Sequence, residues 1–222
     1  MNSDYKESKA EDMPGSARPF DDRLEPSDTA ATIDAAPITE EQLLAVTVEG
    51  QVPSFGPIVI VEYDPDWPRL FEREAERVRA ALGEQALLIE HVGSTSVPGL
   101  AAKPRIDILL VVPDSADEPS YVSHLEAVGY VLRIREPDWY EHRLFKGPDT
   151  DINLHVFSPR CVEIERMILF RDWLRSHESD CVLYERTKRE LASREWKYVQ
   201  NYADAKTAVV EKIIAHARGE GA

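Results

Sequence analysis

Apolar positions along this chain follow two rhythms in succession, and the first is that of a sheet with covering helices. Ile58–Tyr63, reading IVIVEY between Gly56-Pro57 and Asp64-Pro65, predicts a strand. Beyond it Trp67, Leu70, Phe71, Val78, Ala81 and Leu82 fall on one stripe, which predicts a helix ended by Gly83. Leu87–Val92 and Arg105–Val112 read as strands, the second almost continuously apolar, as expected at the centre of a sheet. Tyr121–Val128 predicts a helix closed by Gly129, and Tyr130–Arg135, Tyr140–Lys146 and Ile152–Phe157 predict further strands. After Pro159 the period turns helical. Val162–His177, Cys181–Arg194 and Val199–Ala217 carry stripes that include Met167, Phe170, Leu174, Val209, Ile213 and Ile214. No Gly/Pro/Ser-rich linker separates His155 from Val162, so these helices are expected to pack on the sheet as one cooperative unit. The expected fold class is α/β (α+β): a mixed β-sheet with flanking helices and a helical C-terminal part.

The N-terminal part differs in kind. Residues 1–38 are rich in Asp, Glu, Ser, Pro and Ala and poor in aromatic and β-branched residues, which predicts a disordered acidic tail, with residues 39–222 as the folded domain. Thr39 is placed to cap a short helix with Glu41 and Gln42 in its first turn. The first 50 residues hold 12 Asp or Glu against 4 Lys or Arg, so they carry −8 of the formal net charge of −15. That charge argues against wrapping duplex nucleic acid, which needs a dense basic face, and leaves room for a local basic pocket. No apolar run approaches the roughly 20 residues of a membrane span, and a cytoplasmic location is expected. Cys161 and Cys181 have no metal-type spacing and read as core or surface thiols.

The densest chemistry lies in His91–Leu110, HVGSTSVPGLAAKPRIDILL. A strand enters Gly93-Ser94-Thr95, whose small residues let free N–H groups and two hydroxyls approach a phosphate. A short helix opening over Ser96–Ala102 would add its dipole, and Lys103 a point charge. Asp107 stands alone in an apolar strand, where an unpaired carboxylate is expensive to bury. Two readings are open for it: a ligand for Mg²⁺ held together with substrate phosphates, or a structural carboxylate paired with Arg105 or Lys103. Further cations suited to a phosphate pocket are Arg143, Lys146, Arg166, Arg171 and Lys206, and Tyr202 lies one helical turn before Lys206. Arg143 is favoured because His142 and Leu144 face the other way. Glu90 and His91 are candidate general bases beside the turn. The four tryptophans read as packing residues.

The Gly93-Ser94 turn, a spacer of 12 residues and Asp107 in an apolar strand resemble the signature of the nucleotidyltransferase superfold. The fuller string HVGSTSVPGLAAKPRID, with VEYDPDWPRLFEREA before it and LHVF, ERMILFRDWLRSH, Tyr184 and AKTAVVEKII after it, resembles the GrpB family, and does so over about three quarters of the chain. The resemblance implies a sheet of nucleotidyltransferase type, a nucleoside triphosphate as substrate, and Mg²⁺ held by two or three carboxylates, with Asp107 as the catalytic one. From the turn and spacing argued above, Gly93, Ser94, Thr95, Lys103, Arg143 and Lys206 are the candidates around the phosphates, and Asp151 or His155 could complete a metal site with Asp107, the competing readings being a solvated loop carboxylate for Asp151 and a hydrogen-bonded histidine at a strand end for His155. The chain departs from the superfold where Leu109 takes the usual second carboxylate position and Asn153 stands between Asp151 and His155. Expected partners are a phosphorylated small molecule or nucleotide. One functional reading is a Mg²⁺-dependent nucleotidyltransferase with an unknown acceptor. The alternative is a non-catalytic module binding a nucleotide or a coenzyme A precursor, since GrpB-like domains also occur fused to dephospho-CoA kinases.

Overall fold

Residues 38–219 are described by a computed structural model. The expected tail therefore lies outside the described residues, save Ile38. Five strands form one mixed sheet: β1 (Leu88–Val92), β2 (Ile106–Val111), β3 (Val131–Glu136), β4 (His142–Lys146) and β5 (Ile152–Phe157), in the order β1-β2-β5-β4-β3. β2 and β5 run parallel at its centre, and every other neighbouring pair is antiparallel. The helices are α1 (Glu40–Val46), α2 (Trp67–Leu82), α3 (Val122–Ala127), α4 (Val162–Ser176), α5 (Glu178–Ala192), α6 (Val199–Ala205) and α7 (Thr207–Arg218). At the start of α1 the Thr39 hydroxyl accepts from the Gln42 amide at 3.2 Å, and the Gln42 side chain accepts from the Thr39 amide at 2.9 Å, a reciprocal cap that satisfies two otherwise free donors.

The near-continuous apolar text of β2 is explained by burial on both faces. Ile106, Ile108 and Leu110 point into the larger core with Leu154 and Val156 of β5, under Trp67, Phe71, Ala75, Val78 and Leu82 of α2. Truncating one of the large residues here, such as Phe71, costs about 3–5 kcal/mol because it leaves a cavity. Glu74 on the buried side of α2 is 0% exposed. It survives there because Arg73 and Arg77 reach its two oxygens at 3.1 and 3.0 Å and the Tyr130 hydroxyl donates to it at 2.8 Å.

On the opposite face Leu109 and Val111 join Val92 and Phe157 against Ile164, Met167 and Ile168 of α4. A further cluster joins Val97 and Leu100 to Leu174, Tyr184 and Ile213, from α4, α5 and α7. The helical C-terminal part thus packs directly on the sheet and on the loop after β1. The strand expected over Ile58–Tyr63 is reduced to one bridge, in which Val61 and Ala102 exchange two backbone hydrogen bonds of 2.9 Å. Pro104, two residues beyond Ala102, has no N–H to continue the ladder. Among the described residues no helix is long and apolar enough to cross a membrane.

Candidate functional site

β1 ends at Val92, directly opposite Asp107 of β2, and the chain then turns at Gly93. Gly93 has φ 70° and ψ −173°, a region essentially restricted to glycine. A Cβ on it would stand 2.5 Å from Asp107 Oδ2. The Gly93–Asp107 pair is therefore a contact between backbone and carboxylate that no other residue type permits. A single 3₁₀ turn over Ser94–Ser96 follows, in place of the helix expected over Ser96–Ala102. Pro98 biases Val97 to extended backbone and Gly99 adopts φ 80°, so helical winding stops. The helix dipole expected there is absent.

The turn is pinned from below. Thr95 is buried, and its hydroxyl donates to the Arg105 carbonyl at 3.1 Å, so the His91 Nε2, at 3.0 Å, is the donor to it. His91 lies flat against Phe71 with ring centroids 4.8 Å apart. Burial, reinforced by Arg175 and Arg171 and only partly opposed by Asp107, pulls it down to about 4, so it is neutral and structural. Arg171 of α4 donates to Glu90 at 2.7 Å and to the His91 carbonyl at 2.9 Å, and Arg175 donates to the Ser96 carbonyl at 2.8 Å. His91 and Thr95 thus hold the turn and do not present free groups to a ligand, while Glu90 is paired with Arg171 through one oxygen. Ser94 lines the open side.

That open side is a cavity of about 690 Å³ between the sheet, α1, α5 and α6, a size usual for small-molecule sites. Asp107 lies on its floor. Asn153 of β5, its register partner, donates to Asp107 Oδ1 at 2.8 Å, and His155 Nε2 stands 3.8 Å from the same oxygen. Burial alone would raise this carboxyl, but His155 and the bond from Asn153 outweigh it and hold it below the usual carboxylate range. Behind His155, its Nδ1 meets His142 Nε2 at 3.1 Å, and His142 Nδ1 meets Glu136 at 2.6 Å. His142 is pulled down to about 4 by burial, against the opposing pull of Glu136.

Six Lys or Arg side chains but only two carboxylates, Asp107 and Glu136, line this cavity. Arg105 is bound to Asp151 at 2.8 Å, and Lys146 to Asn153 at 2.6 Å and Asp151 at 3.3 Å. Lys103, Lys188 and Lys206 make no salt bridge among the described residues. Lys188, 2% exposed, donates to the Ala101 carbonyl at 2.5 Å and lies over the Tyr184 ring at 4.7 Å. Lys206 lies over the Tyr202 ring at 4.8 Å. Burial, aided by Lys206, lowers Lys188 to about 7, and burial, aided by Arg105, lowers Lys146 to about 8.

Of the residues expected at the site, Ser94, Lys103, Asp107, His155 and Lys206 line the cavity, with Gly93 shaping its turn. Arg143 does not: it is buried on the opposite face of β4, bound to Glu118 at 2.7 Å and Glu141 at 3.2 Å, and it is His142, Leu144 and Lys146 that face the cavity. Arg166 pairs with Glu163 and Glu211 and is likewise structural. Lys188 and His142 were missed, although Tyr184-Lys188 repeats the i, i+4 spacing of Tyr202-Lys206.

Residues 57–216 match the family model described as GrpB protein. This chain belongs to the GrpB family. A UPF0157 protein of Halalkalibacterium halodurans is 62% identical over 183 residues, covering 82% of this chain and 94% of that protein. The crystal structure of GrpB from Enterococcus faecalis is 31% identical and superposes with a TM-score of 0.65 over 73% of this chain and 98% of that one. A looser likeness, with TM-score 0.40 and 9% identity over 59% of this chain and 45% of that chain, is to the Cid1 poly(U) polymerase bound to MgATP. The GrpB chain has a five-stranded mixed sheet with helices on both faces.

The donor set tests the expected Mg²⁺ directly. Leu109 is fully buried against α4 and offers no oxygen, the Asn153 carbonyl is occupied by Lys146, and Asp151 is held by Arg105 and Lys146. Among the described residues no group of three or more His, Cys, Asp or Glu is arranged to hold a metal. A pair of Mg²⁺ ions held by carboxylates does not fit these residues.

Proposed function

We propose that this cavity binds a phosphorylated small molecule of nucleotide type. Lys103, Lys188, Lys206 and Ser94 would face its phosphates, and Asp107 would carry a single divalent cation. The observation that carries this reading is the convergence of three lysines without a carboxylate partner among the described residues, in a chain whose net charge is −15. An ammonium as buried as Lys188 is costly without an anion, and although Glu185 lies one turn away on α5 it is bound to the Ala101 amide and forms no salt bridge with Lys188 among the described residues. A bound phosphate would offset that cost. The cation would supply charge screening for the phosphates, while Asn153 orients the carboxylate that holds it.

Transfer of a nucleotidyl group through two metals asks for more anionic ligands than Asp107 alone provides, so binding is the reading the geometry supports best. The test is calorimetric titration of the full-length protein with nucleoside triphosphates, coenzyme A precursors and pyrophosphate, with and without divalent cations. The expected result is binding by at least one of these ligands that weakens tenfold or more in Lys188→Met. If none of them binds, or if Lys188→Met binds as the wild type does, the proposal fails. Cation-dependent release of pyrophosphate from a triphosphate would instead support the transferase reading.

A further inference from the structure

Rows of side chains cross the cavity face of the sheet, and strand register fixes their order. Asp107, Asn153 and Lys146 stand opposite one another in the first row, and His155, Leu144 and Ile134 in the second. A third holds Glu136 and His142, with Phe157 stacked on His142 at 4.7 Å between centroids. Cations gather at the first row. Lys103 and Arg105 precede Asp107 in the chain, and Lys188 donates to the Ala101 carbonyl two residues before Lys103. Beyond the third row Trp139, in the β3–β4 turn, stands against His142 and Phe157 with centroids 5.1 and 5.7 Å away. Asn153 and Phe157 are four residues apart on β5, so the first and third rows are separated by roughly 13 Å of extended chain. One end of the cavity is therefore cationic and the other aromatic.

Of the four tryptophans, Trp139 is the one that lines the cavity, and the packing expected of all four holds only for the others. Trp67 is buried in the larger core, and the indole N–H groups of Trp173 and Trp196 donate at 2.8 Å to Asp180 and to the Leu191 carbonyl. Trp139 is 40% exposed, and its indole N–H has no partner among the described residues. The rings of Tyr140, His142 and Phe157 meet it at 57°, 85° and 70°, so none of them lies flat on either of its faces. The residue is nonetheless held in place. Its amide donates to the Glu136 carbonyl at 3.2 Å, and its carbonyl accepts from the His142 amide at 3.1 Å. The turn then passes through Tyr140 and Glu141 at φ 57° and 52°, a conformation costly for residues with a side chain, and Arg143 retains Glu141 there at 3.2 Å. A strained and braced turn that leaves a large aromatic ring half open suits a ligand contact and gains little as packing.

We propose that Trp139 is a stacking platform for a planar ring of the cavity's ligand. The ligand then carries a flat ring set apart from its phosphates by the length of the β5 floor, as a nucleotide does and a ring-free phosphate ester does not. This inference deepens the phosphate-binding reading and rests on it. Full-length wild type, Trp139→Leu and Trp139→Phe are titrated by calorimetry with inorganic tripolyphosphate, adenosine triphosphate and uridine triphosphate in one buffer. At least one of the two nucleotides is expected to bind wild type about tenfold or more tightly than tripolyphosphate, the size of effect that one stacked base supplies. That advantage should vanish in Trp139→Leu and return in part in Trp139→Phe, which restores a ring. Tripolyphosphate affinity should stay within twofold across all three proteins, which shows that the cationic end is intact. Melting curves identify any variant that fails to fold, and the comparison of nucleotide with tripolyphosphate stands on wild type alone. Tripolyphosphate bound by wild type as tightly as both nucleotides overturns this inference and leaves the phosphate reading standing. A nucleotide advantage kept in full by folded Trp139→Leu also overturns it. If neither tripolyphosphate nor a nucleotide binds wild type, the phosphate reading fails and this inference with it.

Discussion

Replacing Lys188 with methionine is expected to raise the melting temperature of the ligand-free protein. The side chain is buried, with a carbonyl and an aromatic ring as its neighbours and no carboxylate bound to it among the described residues. Burial lowers it from 10.5 to about 7, with Lys206 acting in the same direction and Glu185 against it. A fall of that size corresponds to on the order of 5 kcal/mol of disfavoured charge. Methionine removes this term but leaves the Ala101 carbonyl without its donor, at a cost of about 1–3 kcal/mol. A net gain of about 2 kcal/mol follows, in line with the replacement of other buried charges by apolar groups of similar volume. For a chain of this size that is a rise of roughly 4–8 °C. The sign of the pH dependence is fixed as well. Unfolded, the lysine holds its proton to about 10.5, whereas folded it holds it only to about 7. Between these values the unfolded state binds more protons, so wild-type stability rises with pH and the gap to the variant closes. Calorimetric melts at pH 7, 8.5 and 10 in phosphate-free buffer measure both effects. A variant that melts below wild type at pH 7, or a gap that stays constant to pH 10, refutes the reasoning.

Two further perturbations test the frame of the site. Gly93→Ala forces a non-glycine into a strained conformation and drives a methyl group to 2.5 Å from Asp107 Oδ2. The expected loss is about 2–4 kcal/mol in urea unfolding, and an unchanged midpoint would disprove the contact. His91 and His142 are both lowered from 6.5 to about 4 in the folded protein, chiefly by burial. The unfolded state therefore binds more protons between pH 6.5 and pH 4, and stability falls through that window by up to about 3 kcal/mol for each ring. A flat stability profile between those pH values would show that the rings are not buried as described.

What was legible in the sequence is what local chemistry dictates. Gly93, Ser94 and Asp107 announce themselves because the turn and the strand lie within 20 residues and a carboxylate in an apolar strand has few explanations. The α2 stripe and the final helices were legible because burial imposes their period on the text. Arg143 was misplaced for a reason of parity. Alternation separates it from His142 and Leu144, but which face of β4 meets the cavity is decided by the pairing with β5, where Leu144 lies opposite His155 and Lys146 opposite Asn153. Thr95 looked like a phosphate hydroxyl because nothing in the text shows that His91 and the Arg105 carbonyl already occupy it. Lys188 was invisible as a site residue because α5 reaches the cavity only through tertiary packing, 87 residues away from the carbonyl it touches. The strand expected at Ile58–Tyr63 had the right composition and lacked only a partner able to pair beyond Ala102.

The loop after β1 winds into one 3₁₀ turn and no further, and on the proposed phosphate-binding reading this decides what kind of anion receptor the protein would be. Recognition built on a helix start rests on backbone amides, which no substitution short of proline removes. Here the proposed attraction would be delegated to three amine side chains carried by separate segments, Lys103 on the loop before β2, Lys188 on α5 and Lys206 between α6 and α7. Such a receptor is adjustable part by part. Single codon changes or acylation of one amine would lower its grip without touching the fold, and added salt would compete with its outermost lysines before the buried one.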